Sequence, residues 1–284
     1  MRISLALRAS LVGGVVALLS VSSRAATLTI QDSLDDFEAQ RRSDTGVYIA
    51  SENFANGSRA GFQSNFNGSG AQAPGGITSL YFFQLPTLAA GQTIESANFS
   101  VGTLPDTATT ATTPSFNGDL YALGFVNSIA KDAAAAEKFF YLGNTAQTSL
   151  PDVAGGPTVG GTVSRVADDF LDASDFVPNG GTASDADSAD ITAYVRDLYA
   201  NQATNGFMPG TSFLVLRVNP DADTLPTSGT QRYLTAFQGT AANGGAGTAA
   251  NRPLVTLEVV PEPTGPAMLL VGGLGVLGAR RRRA

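Results

Sequence analysis

Apolar residues between Thr27 and Val260 come in short runs, and Gly, Asn, Asp, Ser, Thr and Pro separate one run from the next. This pattern is typical of strands joined by loops. In Ser212–Val218 the apolar residues occupy both alternating faces, which predicts a central strand buried on both sides. The sequence therefore predicts a mainly β chain, an antiparallel β-sandwich.

Eight strands are predicted from these runs. They are Thr27–Gln31, Val47–Ala50, Thr78–Leu85, Ile94–Val101, Asp119–Phe125, Ser212–Val218, Tyr233–Phe237 and Leu254–Val260. One or two short helices accompany them. Ala189–Ala200 carries an apolar stripe at helical spacing, and Ala133–Tyr141 is the second candidate helix.

The chain has no cysteine and no histidine among its 284 residues. This composition excludes thiol catalysis, the Ser-His-Asp triad and metal sites built from His or Cys. Any catalysis would depend on carboxylates, Tyr, Lys or Arg. We therefore expect no enzyme, with a carboxylate-based polysaccharide-active enzyme as the alternative.

Residues 26–260 hold 10 basic and 23 acidic residues, a net charge of −13. A domain this acidic repels phosphate backbones, so no nucleic-acid partner is expected.

The N-terminus has the three regions of a secretory signal peptide. Arg2 and Arg8 precede an apolar run, Leu11–Val21, and Ser23 and Ala25 supply the small residues of a cleavage site. Residues 1–25 are predicted to be a signal peptide cut after Ala25, which implies export; an uncut N-terminal anchor is the alternative.

The C-terminus, residues 261–284, joins three features in order. Pro261, Glu262 and Pro263 are followed by an uncharged, glycine-rich stretch and then by Arg280, Arg281, Arg282 and Arg283. As a helix, the uncharged residues 265–279 would span about 22 Å, short of the roughly 30 Å hydrocarbon core. The arginines favour the cytoplasmic side. The sequence predicts a short membrane helix that anchors only transiently, with an ordinary tail anchor as the alternative.

This tail resembles the PEP-CTERM sorting signal. The resemblance implies recognition by an exosortase-type processing enzyme and transient anchoring in the inner membrane. It also implies a final location in the cell envelope or outside the cell, in an exopolysaccharide or biofilm context.

A second resemblance lies in the ectodomain. Ser79–Val101, and Ala189–Asn201 followed by Phe213–Val218, are similar to DNRLRE-type domains, a group related to carbohydrate-binding jelly rolls. The resemblance implies a jelly-roll-like sandwich and glycan binding, with exopolysaccharide as a possible partner. A structural spacer without a ligand is the other alternative. Tyr48, Phe54, Phe62 and Phe66 are candidates for stacking on sugar rings, and the alternative is that they are core residues of short strands.

Acidic residues cluster in three segments, RVADDFLDASDF, SDADSAD and NPDADT. Calcium prefers several oxygen ligands on a flexible loop, and the alternating Asp185, Asp187 and Asp190 of the second segment are the candidate ligands. The alternative is that these are solvated loops, with Asp187 or Asp190 capping a helix. No other cofactor is expected.

Overall fold

The computed structural model describes residues 25–32, 36–51, 57–63, 75–105, 114–178, 181–182, 184–224, 232–237 and 252–262. The strands in these residues are β1 (Ala26–Gln31), β2 (Phe37–Arg42), β3 (Tyr48–Ser51), β4 (Gly57–Gln63), β5 (Gly75–Gln84), β6 (Gln92–Gly102), β7 (Gly118–Val126), β8 (Ser164–Leu171), β9 (Ala186–Asp190), β10 (Phe213–Pro220), β11 (Arg232–Phe237) and β12 (Leu254–Pro261). The helices are α1 (Ala133–Phe139), α2 (Thr192–Ala200) and α3 (Gln202–Asn205). The prediction of a mainly β chain is confirmed.

The strands form two antiparallel sheets. The smaller sheet has the order β1-β12-β6-β9. The larger has the order β11-β4-β5-β10-β7-β8, with β2 pairing on β5 and β3 on β2. All eight predicted strands are present, with ends that differ by up to three residues.

The main core fills the space between the two sheets. Phe99 and Leu257 of the smaller sheet and Leu214 and Leu216 of the larger sheet are fully buried there. Side chains alternate along a strand, so each of these strands gives every second residue to this core. Burying a Phe or Leu side chain contributes roughly 1.5–3 kcal/mol before entropy is counted.

A second core covers the outer face of the larger sheet. Phe37 and Phe82 stack there with ring centroids 5.7 Å apart, and Phe139 of α1 packs against both rings. Asp132 is the N-cap of helix α1, and its Oδ1 accepts a hydrogen bond from the Ala135 amide. Strand β10 therefore lies between two buried faces, as its sequence predicts.

The helix predicted over Ala189–Ala200 begins later, at Thr192. Residues 186–190 instead pair with β6 as strand β9, which takes Ala189 and Asp190 out of the helix. Its apolar stripe behaves as predicted, because Val195 and Leu198 are buried in the main core. Helix α2 ends before Asn201 and α3 follows, so the described part of the chain has three short α-helices where one or two were predicted.

In the described part of the chain, no helix has the length and apolarity needed to cross a membrane. The signal peptide is predicted at residues 1–25, and the tail with its C-terminal membrane helix at residues 261–284. Residues 1–24 and 263–284 of these two segments lie outside the described residues.

Candidate functional site

The predicted calcium ligands Asp187 and Asp190 both belong to β9, and Asp185 directly precedes this strand. Asp187 and Asp190 lie three residues apart in β9 and so point to opposite faces of the sheet. Asp190 Oδ1 accepts a hydrogen bond from the Thr192 amide at 2.8 Å, at the start of α2. Asp190 thus contacts the first residue of α2, but the N-cap of this helix is Ile191 and no side chain caps it. In the described residues, the carboxylates that come within metal-binding distance of one another belong to a different set.

Asp187 lies in a half-buried position, and its Oδ2 is buried without a hydrogen-bond partner. Burial raises the pKa of this carboxyl to about 6, and the nearby charges of Asp175 and Asp172 add to the effect. The surroundings of Asp187 therefore favour its protonated, uncharged form.

The set that does come together is Asp119, Asp168 and Asp169. One carboxylate oxygen of each lies within 4.8 Å of the others. Asp119 is fully buried in β7, whereas Asp168 and Asp169 are exposed on the neighbouring strand β8. The sequence predicted Asp119 as part of a strand and Asp168 and Asp169 as an acidic segment, but did not bring them together.

Hydrogen bonds hold this cluster in place. Asp119 Oδ1 accepts from the Asp169 amide at 3.1 Å, and Asp119 Oδ2 accepts from Arg165 at 3.2 Å. Arg165 also donates to Asp168 at 2.6 Å, and Asn117 donates to Asp169 at 2.9 Å. Burial raises the pKa of Asp119, against the opposing effects of the Asp169 amide and Arg165. Asp169 itself has φ of +51°, a left-handed conformation that Asp tolerates better than most residues.

Two more oxygen-bearing side chains, of Asn219 in β10 and of Asp221 directly after it, belong to the chain next to β7. Asn219 lies directly opposite Asp119, and the Asp221 amide continues the ladder by donating to the Asn117 carbonyl at 2.7 Å. The repeated pattern Asn-x-Asp, at residues 117–119 and 219–221, is a signal that the sequence analysis passed over. Asp119 and Asn219 belong to the paired strands, whereas Asn117 and Asp221 lie just outside the ends of β7 and β10.

The same outer face carries a buried arginine one pair further along. Arg217 is fully buried and lies opposite Tyr121, with its guanidinium 4.8 Å from the Tyr121 ring and 5.0 Å from the Tyr141 ring. It donates to the Phe139 carbonyl at 2.9 Å and to Gln147 Oε1 at 2.5 Å. Burial lowers the pKa of this guanidinium, while the two tyrosines and Asp119 raise it.

A cleft of about 590 Å³ opens beside α2 and the loop between β5 and β6. Its lining includes Thr87, Gln92, Arg196, Tyr199, Gln202 and Glu262. Arg196 is fixed by hydrogen bonds to the carbonyls of Ile94 and Glu95 at 2.7 and 2.5 Å. The volume of the cleft falls within the range of small-molecule sites.

Two of the four candidate sugar-stacking residues are described. Phe62 is buried, with its ring packed edge-on against Phe116 at 5.3 Å, so it is a core residue. Tyr48 is half-buried against Phe140. Phe54 and Phe66 lie outside the described residues.

The predicted processing points lie at the limits of the folded strands. Ala25 directly precedes β1, and Pro261 ends β12. The Glu262 amide donates to the Gly91 carbonyl at 2.6 Å. Pro263 and Arg280–Arg283 are outside the described residues.

The chain matches no protein-family model, and a search of curated proteins returns no match either.

Proposed function

We propose that this chain is an exported, non-catalytic protein of the cell envelope or extracellular matrix, sorted through its PEP-CTERM-type tail. In this proposal the signal peptide directs export, the C-terminal helix holds the protein transiently in the inner membrane, and an exosortase-type enzyme processes the tail. The mature domain then has a structural or glycan-binding role in an exopolysaccharide matrix.

The pairing of β1 with β12 is the observation that carries the proposal. Ala26 lies opposite Val259 in this antiparallel pair, so β1 begins where β12 ends, at the same end of the smaller sheet. Among the described residues, the first strand starts at Ala26 and the last ends at Pro261, next to the two predicted processing points. Cutting at both points would leave the hydrogen bonds of both sheets intact, as an export and sorting route requires.

The two-sheet arrangement also supports the finer proposal of a jelly-roll-like sandwich. Two antiparallel sheets with a shared apolar core are the architecture that such folds use. The DNRLRE-like segments correspond to β5–β6 and to α2 followed by β10, which all contribute to that core. This arrangement favours glycan binding over a simple spacer, with the 590 Å³ cleft as the candidate site.

The mass of the intact protein, isolated from a cell that makes it, tests the sorting route. The expected mass lacks residues 1–25 and the residues that follow the Pro-Glu-Pro motif. A mature protein that still carries Arg280–Arg283 would contradict the proposal. Loss of only the N-terminal segment would support export and reject the sorting step.

Glycan-array binding tests the role of the mature domain. We expect binding without release of reducing sugar, weakened by Gln202→Ala in the cleft and unchanged by Lys138→Ala, which lines a separate cleft. Release of reducing sugar, abolished by a single Asp→Asn change, would favour the enzyme. If neither glycan binding nor sugar release is seen, the result would favour a structural spacer without a ligand.

A further inference from the structure

We propose that the adjoining ends of β7, β8 and β10 form a calcium-binding site, with ligands from Asp119, Asp168, Asp169, Asn219 and Asp221. This site is separate from the acidic segment at residues 185–190, and it does not depend on how the chain is sorted.

The strand register places these oxygens on one face. Asn219 and Asp119 are directly opposed across β10 and β7. Opposed residues in an antiparallel pair have their Cβ atoms about 5 Å apart on the same side of the sheet. Asp221 follows Asn219 at a spacing of two, and its amide bond to the Asn117 carbonyl keeps the same register. This bond holds the Asp221 backbone beside Asn117, directly after the end of β10.

Strand β8 closes the site from the other side. The nearest oxygens of Asp119, Asp168 and Asp169 lie within 4.8 Å of one another. Calcium binds oxygens at about 2.3–2.6 Å, so two ligands on opposite sides of one ion are about 5 Å apart. The spacing of the three carboxylates is thus compatible with a single ion between them.

An unpartnered buried oxygen points independently to a ligand. Asn219 is fully buried, and its amide nitrogen donates to the Pro220 carbonyl at 3.2 Å. Its Oδ1, however, has no hydrogen-bond partner. Asp221 Oδ1 is likewise buried without a partner. Buried acceptors are normally satisfied, and a cation held beside Asp119 would satisfy both of these.

The charges at the site also call for a cation. Four carboxylates meet here, and the hydrogen bonds of Arg165 go to Asp119 and Asp168. Arg217, the next charge along the face, is occupied by Gln147 and the Phe139 carbonyl. The carboxylates of Asp119, Asp168 and Asp169 approach within 4.8 Å of one another, so their negative charges repel each other. A divalent ion would offset this repulsion.

The donor set favours calcium over other common ions. Every proposed ligand is a carboxylate or amide oxygen, and the chain has no His or Cys with which to bind zinc or copper. Calcium accepts six to eight oxygens in irregular arrangements, whereas magnesium demands a near-ideal octahedron. Sites on three separate strand ends are irregular, so magnesium should bind more weakly.

Isothermal titration calorimetry of the full-length chain, purified in detergent and stripped with EDTA, tests the proposal with calcium chloride as the probe. We expect one calcium ion per chain. Asp221→Asn and Asp168→Asn should each raise the dissociation constant at least tenfold. Asp168 is largely exposed, so its loss should leave the fold intact, as circular dichroism can verify.

Asp187→Asn is the matched control, because it removes a carboxylate from the other acidic segment. Calcium binding that this change leaves intact, together with the losses at Asp221 and Asp168, supports the site. Absence of binding at millimolar calcium would overturn it. Binding that Asp187→Asn abolishes while Asp221→Asn leaves it unchanged would also overturn it, and would place the ion at residues 185–190.

Discussion

At the scale of single residues, Asp187 makes stability depend on pH in an unusual direction. Its folded pKa of about 6 lies above the ordinary 3.8, because burial and the charges of Asp175 and Asp172 oppose ionisation. The folded protein therefore holds this proton more tightly than the unfolded chain does. This contribution to stability is complete below pH 3.8 and is lost as the pH rises through about 6.

Asp187→Asn should consequently stabilise the protein at pH 7 and have little effect near pH 3.5. The two-unit shift corresponds to roughly 3 kcal/mol at full burial, and partial exposure reduces the expected gain to about 1 kcal/mol. Urea denaturation of both proteins across this pH range measures the difference. If the Asn variant were less stable than the unaltered protein at pH 7 only when calcium is added, Asp187 would instead be a metal ligand.

Arg217 is a second residue whose role can be measured. Arg217→Ala should lower the free energy of unfolding by about 3 kcal/mol, because it leaves a cavity, two unfilled tyrosine faces and unpaired oxygens. Arg217→Lys should recover part of this loss, since it keeps a charge between the rings without the planar fork.

Arg196→Ala is the matched control for Arg217. Arg196 also donates to two carbonyls, but it is exposed on α2, so its removal should cost much less. Equal losses for the two variants in urea denaturation would show that burial between the tyrosines adds nothing.

At the scale of elements, a close backbone contact joins β7 to the loop that precedes β8. Gly160 and Phe125 exchange two backbone hydrogen bonds of 2.9 and 3.0 Å. Gly124 has φ of +112°, and a Cβ there would lie 2.1 Å from the Gly160 carbonyl oxygen. The loop over the second core can approach β7 only because both positions lack a side chain.

Gly124→Ala should therefore destabilise the protein by about 3 kcal/mol, the sum of backbone strain and a clash with fixed backbone. Gly206→Ala shares the positive φ but meets no atom within 4 Å, so it should cost only about 1 kcal/mol. Thermal unfolding of both variants isolates the clash. Equal melting temperatures would mean that the loop can move away from β7.

The elements that sequence reasoning missed share a physical cause. β2, with the sequence FEAQRR, lacks an apolar alternation because Glu38 and Gln40 occupy buried positions. Glu38 is nevertheless satisfied there by Arg59, with two side-chain contacts of 3.0 Å from the distant strand β4. Such long-range pairing decides that these residues form a strand, and no local pattern reports it. β4, β8 and β9 were likewise hidden by glycine or aspartate.

The candidate metal site shows the same limit. Asp168, Asp169 and Asp221 are visible as acidic residues, but their meeting depends on the pairing of β7 with both β8 and β10. Asp119 and Asn219 belong to strands with mostly apolar cores, which concealed their polar ends. The segment at residues 185–190 has the denser sequence pattern, but its strand geometry divides the side chains between two faces.

At the scale of the whole molecule, β12 is the strand on which the smaller sheet depends. It pairs with β1 on one side and with β6 on the other, and it buries Val255, Leu257 and Val259. A chain trimmed to residues 26–262 should keep the melting temperature of the untrimmed protein. Further deletion of residues 254–262 should abolish the cooperative transition, because β1 loses its partner and the main core is opened.

Differential scanning calorimetry on the two trimmed chains makes this comparison. A cooperative transition in the shorter chain would show that the larger sheet and its outer core fold without β12. A lower melting temperature in the longer chain would show that the flanking segments pack on the domain.

The pairing of the first and last strands also determines how the protein responds to force. If both chain ends were pulled apart, the hydrogen bonds between β1 and β12 would break one after another, starting at the pair Ala26 and Val259. If the molecule were held by its tail and loaded through the opposite sheet, the pull would run along β12. The bonds of β12 to β1 and β6 would then share the load. This domain should therefore resist little force between its two chain ends, and more force when it is held only by its C-terminal tail.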